Sequence, residues 1–156
     1  MIHRIEVAAK GKDSRALTLK KRLQAEGMKV KQVWVTDAYT IEKILRHDQL
    51  QKIGETLANP IIQNFQIRPP LAPEHFDWAL EIGFLPGVTD NVAHTTKEII
   101  TDLFKTKFKQ DEGVYTSVVY FFSAQGGSAS GGKLTYKDIE TIGFIGRAPT
   151  KVVHDR

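Results

Sequence analysis

The sequence predicts an α+β chain made of two βαβ(β)αβ-like units, with mainly antiparallel sheets covered by helices. Stretches of period-two alternation take turns with stretches of helical periodicity. The order strand, helix, strand, helix runs twice along the 156 residues, with a final strand clear only in the first run. A proline-rich segment parts the two runs, giving a first module over 1–68, a linker over 69–75 and a second module over 76–156.

Residues 2–8 (IHRIEVA) alternate apolar and polar and predict a half-buried strand. Gly11-Lys12-Asp13-Ser14 offers turn and N-cap chemistry before a helix over 15–26, which carries Leu17, Leu19 and Leu23 and stops at Gly27. Residues 29–36 (KVKQVWVT) alternate again, with β-branched Val30, Val33 and Val35. Ile41, Ile44, Leu45, Leu50, Ile53 and Leu57 predict a helix, or two short ones, over 40–57. Asn59-Pro60 breaks it, because the residue before proline is pushed out of the helical region, and 61–67 (IIQNFQI) returns as a strand.

Pro69, Pro70 and Pro73 allow neither strand nor helix and predict a stiff, extended spacer. The second cycle begins with a strand over 77–84 (DWALEIGF). Pro86-Gly87 then turns, and Thr89-Asp90 caps a helix over 91–108. If Asp90 acts only as that cap, its removal costs ~1 kcal/mol. Residues 114–122 (VYTSVVYFF) are the plainest strand. The Gly/Ser loop at 126–132 leads to a helix over 135–142, and 144–156 is the least readable stretch. The cycles also match locally, Leu50-Gln51-Lys52-Ile53-Gly54 against Ile139-Glu140-Thr141-Ile142-Gly143. Val33, Val35, Ile61, Phe65, Ile82, Val119 and Phe121 are expected in the core.

Composition narrows the chemistry. With no cysteine, there is no disulfide framework, no cysteine–zinc site and no thiol nucleophile. No apolar run approaches the ~20 residues that span a bilayer, and the start lacks the apolar region of a signal peptide, so a cytoplasmic chain with no membrane partner is expected. A net charge of +4 permits anionic partners but is mild over this length.

Gly127-x-x-x-x-Gly132-Lys133 has the spacing of a phosphate-binding loop, in which glycine amides cradle phosphates and the lysine neutralises them. The next position should offer magnesium a hydroxyl, but it is Leu134, with Thr135 one residue late; a flexible Gly/Ser connection is expected instead. His3, His47, His75, His94 and His154 are scattered without metal-ligand spacing, although Asp90 and His94 stand four apart on a helix. Ser14 and Ser123 lack a nucleophile elbow. Asp37, Glu42, Asp77 and Glu81 share no visible pocket. No catalytic or metal residue is therefore expected. Tyr115, Tyr120, Phe121 and Phe122 could stack RNA bases, but without a flanking Lys/Arg-Gly-Phe run they read as core, and a nucleic-acid partner is not expected. The alternative to a non-catalytic chain is a small nucleotide- or RNA-binding module using the glycine loop and Lys133.

Two stretches resemble a known family. Leu57-Ala58-Asn59-Pro60-Ile61-Ile62-Gln63-Asn64-Phe65-Gln66-Ile67 resembles the end of the PurS subunit of phosphoribosylformylglycinamidine synthase, where a helix meets an Ala-Asn-Pro break and a closing strand. Leu85-Pro86-Gly87-Val88-Thr89-Asp90 is similar to that family's Pro-Gly-Val-x-Asp turn between first strand and first helix. The first half carries the closing motif and the second the opening one, while 9–14 lacks the turn and 144–153 lacks the Asn-Pro break.

The resemblance implies an assembly role without chemistry of its own. PurS is a small dimeric partner that joins the ATP-using synthetase to the glutaminase, and single-chain synthases carry a similar pseudo-dimeric domain at the N-terminus. A tandem of two such halves would make the pseudo-dimer covalent. ATP and magnesium would belong to the parent complex, with no cofactor in this chain. Partners would be the synthetase and glutaminase chains or domains, with a homodimer also open.

Overall fold

The computed structural model describes residues 1–68, 70–85, 87–125, 134–146 and 151–154, those at 143–146 and 151–154 through their backbone. In chain order these form β1 (Ile2–Ala9), α1 (Ser14–Ala25), β2 (Val30–Glu42), α2 (His47–Leu57), β3 (Gln63–Ile67), β4 (Trp78–Gly83), α3 (Asn91–Phe104), β5 (Gly113–Ala124), α4 (Tyr136–Gly146) and β6 (Lys151–His154). The class is α+β. The strands are ordered β3-β1-β2-β5-β4-β6. The outer pairs are antiparallel, with Val7 opposite Phe65 and Leu80 opposite Val152.

Local chemistry sets most of the boundaries. Asp13 accepts the Arg15 amide at 2.9 Å and so caps α1. At the other end Gly27 takes φ +84°, and the amides of Gly27 and Met28 return to the carbonyls of Gln24 and Leu23. That pattern is a Schellman closure, and only glycine adopts its left-handed residue without strain.

Several expectations need correction. Residues 40–46 are not helical: β2 runs on to Glu42 and α2 begins at His47. Ile41 and Ile44, both assigned to a helical face, part company, with Ile41 fully buried and Ile44 79% exposed. The β-branched and aromatic run Val35-Thr36-Asp37-Ala38-Tyr39-Thr40-Ile41 continues the pleat, where a central strand can bury it. Ile61 is not core but 82% exposed, and β3 starts at Gln63. The chain is still turning there, because the Ile62 and Gln63 amides bond the Asn59 carbonyl and the Ile61 amide bonds the Asn59 side chain. The helix expected to reach residue 108 ends at Phe104, where Lys105 turns left-handed at φ +49°. β6 was not legible at all. Val33, Val35, Val119 and Phe121 are buried, while Phe65 and Ile82 are partly so.

The chain forms two compact units, and these are not the sequence modules 1–68 and 76–156. The first comprises Met1–Lys10, Asp37–Leu71 and Phe84–Ser117, thus β1, the end of β2, α2, β3, α3 and the start of β5. Its core joins Ile5 and Ile41 of the strands to Leu50 and Ile53 of α2 and Ala93 and Ile100 of α3. The second comprises Gly11–Thr36, Ala72–Gly83 and Val118–Arg156, with α1, the start of β2, β4, the end of β5, α4 and β6. Its core joins Leu23 of α1, Val30, Val33 and Val35 of β2, Leu80 of β4, Phe122 of β5 and Ile139 of α4. Trp78 adds a hydrogen bond from its indole to the Leu134 carbonyl at 3.0 Å. Within the proline segment the Leu71 amide bonds the Glu6 carboxylate at 3.0 Å.

Candidate functional site

The two turn motifs are built from ordinary backbone chemistry. After α2, Asn59 receives the Ile61 amide on its side chain at 3.0 Å, and its own amide bonds the Gln63 side chain at 2.8 Å. Lys10, just beyond β1, clamps the turn from outside. Its ammonium donates to the Pro60 carbonyl at 2.6 Å and its amide to the Ile62 carbonyl at 2.8 Å. The turn holds Ile61 and Ile62 towards solvent.

The second motif closes with the Val88 amide on the Leu85 carbonyl at 3.1 Å, and Gly87 takes φ +84°. Pro86 lies outside the described residues. Asp90 does more than cap α3. Its Oδ1 accepts the Ala93 amide at 2.9 Å, its Oδ2 accepts the Thr116 amide at 2.8 Å, and the Thr116 hydroxyl donates to Oδ1 at 2.8 Å. One carboxylate therefore starts a helix and fixes it to β5. Val88 is half exposed beside this turn. Asn59 and Asp90 come from opposite halves of the sequence yet belong to the same compact unit.

The glycine loop is different. Gly127, Gly132 and Lys133 lie outside the described residues, but the two positions after Lys133 have settled roles. Leu134, at the position where a phosphate loop needs its magnesium-binding hydroxyl, is a core side chain. The Thr135 hydroxyl is engaged as a cap. It accepts the Asp138 amide at 3.2 Å, and the Asp138 carboxylate accepts the Thr135 amide at 2.8 Å. This is the reciprocal arrangement of a capping box.

The remaining candidates stay apart. His94 reaches Glu98 at 3.3 Å, whereas the Asp90 carboxylate, four residues back, is turned to Ala93 and Thr116. No group of three His, Asp or Glu side chains able to hold a metal occurs among the described residues. Phe121 meets Phe76 edge-on at 4.8 Å and Phe122 is fully buried, so neither ring presents a stacking surface.

Sequence reasoning missed one polar cluster. Lys43 is buried, and its ammonium donates to Glu112 at 2.5 Å and to the Lys107 carbonyl at 3.0 Å. It also sits 4.9 Å from the centre of the Phe108 ring. Nothing local signals a pair 69 residues apart. The hydrogen bond from Lys43 holds the Glu112 carboxyl below its ordinary 4.5. As pH falls, the unfolded chain therefore binds this proton first, so the stabilisation is complete above that value and is lost below it. Urea titrations between about pH 5 and pH 3 should show wild type losing more stability than E112Q. Asp13 and Asp48 titrate in both chains, so parallel profiles would remove the Lys43 contribution.

The chain matches no protein-family model and no curated protein.

Proposed function

We propose that this chain is a non-catalytic assembly module of phosphoribosylformylglycinamidine synthase, two PurS-like halves in tandem acting as a covalent pseudo-dimer. The strand order carries the reading. β3-β1-β2 of the first cycle and β5-β4-β6 of the second take mirrored places, so each cycle's second strand adjoins its counterpart. Like meeting like is the signature of a two-fold contact.

Exchange of helices supports the same reading. The first helix of the second cycle, α3, belongs to the compact unit of α2 and β3. The first helix of the first cycle, α1, belongs to that of β4, α4 and β6. Each unit thus completes its core with a helix from the other half. Tethering the halves replaces a concentration-dependent association by an intramolecular one. The Asn59 side-chain oxygen and both Asp90 carboxylate oxygens are spent on internal hydrogen bonds, which suits a structural role for Asn59, Pro60, Gly87 and Asp90. In this reading the ATP, magnesium and ammonia chemistry resides in the synthetase and glutaminase, and the module works beside them in the cytoplasm. Among the described residues no helix is long and apolar enough to cross a membrane.

Reconstitution tests this directly. Glutamine-dependent amidine formation by the synthetase and glutaminase should rise when the chain is added. If the rate is unchanged and neither partner binds, the reading fails. ATP–magnesium stabilisation of the chain that disappears in K133A would then favour nucleotide binding at the glycine loop.

A further inference from the structure

Strand alternation places Arg4 and Glu6 on the face of β1 opposite the core residues Ile5 and Val7. On that face the first compact unit holds a cleft of about 520 Å³, lined by Ile2, Arg4, Glu6, Thr40, Arg68 and Pro70. The cleft is not charge-neutral. Glu6 is buried and both of its oxygens are committed, Oε2 to the Arg4 guanidinium at 2.9 Å and Oε1 to the Leu71 amide at 3.0 Å. The Arg4 guanidinium and the Glu6 carboxylate offset one another, and the Arg68 guanidinium adds a positive charge to the lining.

Arg68 is held in a left-handed backbone at φ +42°, a conformation that side-chain-bearing residues rarely adopt. Its guanidinium donates to the Ile2 carbonyl at 3.2 Å, which keeps it at the cleft. Strained backbone of this kind persists where the surroundings enforce it and concentrates at ligand clamps.

We propose that this cleft binds a small organic anion, a phosphate or carboxylate group carried on an apolar body. Arg68 takes the anionic group in the planar, forked geometry that guanidinium offers to both headgroups. Thr40 adds a hydroxyl, and Ile2 and Pro70 line the space left for the apolar part. The volume falls in the range of small-molecule sites, roughly 300–1,000 Å³. The local field agrees. His3, next to Arg4 on β1, has its imidazole held below its ordinary pKa, first by burial and then by the positive charges of the N-terminus and Arg68. The inference does not rest on the assembly reading, because it concerns a different kind of partner.

Titration calorimetry on the whole chain with phenyl phosphate, benzoate, inorganic phosphate and benzyl alcohol tests it. At least one of the two aromatic anions should bind with a Kd in the millimolar range or tighter, and comparing them identifies the preferred headgroup. Benzyl alcohol should not bind, and inorganic phosphate should bind more weakly than phenyl phosphate. R68A should weaken the aromatic anion about tenfold or more, the size expected for one hydrogen bond to a charged group. R68G separates binding from folding. Glycine accepts the left-handed backbone freely, so its Tm should match or exceed wild type while binding is lost. The proposal is overturned if neither aromatic anion binds or if R68A and R68G bind as wild type does. Inorganic phosphate binding as tightly as phenyl phosphate would also overturn it, because that reports charge alone.

Discussion

Alanine at Gly54 is expected to destabilise the chain by about 2 kcal/mol, although alanine is the better helix former. A Cβ on Gly54 would stand 2.3 Å from two ring carbons of Phe65, well inside van der Waals contact. The obstacle is the body of an aromatic ring, and that ring packs against the core of its unit. Overpacking a fitted core costs about 1–3 kcal/mol. Replacing a mid-helix glycine returns only about 0.5–1 kcal/mol. The steric effect wins, and at this size Tm should fall by roughly 4–8 °C. The double variant G54A/F65L, with the ring removed, should recover part of the loss relative to F65L. An unchanged or raised Tm for G54A would mean that the ring swings aside and that α2 does not depend on this close approach to β3.

Asp90→Ala should cost more than a missing helix cap. The cap alone accounts for about 1 kcal/mol. The same carboxylate also satisfies the Thr116 amide and hydroxyl, both part-buried. Leaving a buried donor unpaired costs a further 1–3 kcal/mol or so. A total of about 2–4 kcal/mol is therefore expected from urea denaturation of D90A. T116V, which keeps the amide but removes the hydroxyl, should lose less. In the D90A/T116V cycle the losses should fall short of additive, because the two residues share a bond. A D90A loss near 1 kcal/mol with additive effects would leave Asp90 as a cap only.

The gap between those two figures marks how far the sequence could be read. Asp90 as a helix cap was legible because capping is a bond across three residues. Its bond to Thr116 was not, since the two stand 26 positions apart. The same division separates the Asn59-Pro60 break, plain in the sequence, from its clamp by Lys10, 50 residues earlier. Ile41 and Ile61 show how apolar spacing misleads. The spacing of Ile41 and Ile44 fitted a helix, but Ile41 is buried in a central strand and Ile44 lies beyond its end, exposed. Ile61 looked like the first residue of a strand, but hydrogen bonds to Asn59 keep it in the turn. Lys43 and Glu112 gave no signal, because a lone lysine and a lone glutamate are ordinary surface residues until the fold brings them together.

By itself, then, the sequence determined the α+β class, the order of elements from β1 to α4 and the caps and turns at Asp13, Gly27, Asn59 and Asp90. These rest on hydrogen bonds and backbone preferences within a few residues. Only the tertiary structure decided where β2 ends, that a sixth strand pairs with β4, and which elements share a core. The two halves of the sequence each complete the other's unit, as α1 and α3 show. The reason is physical. Strand pairing and core membership depend on apolar surface removed from water by partners far along the chain, and no local window of sequence contains those partners.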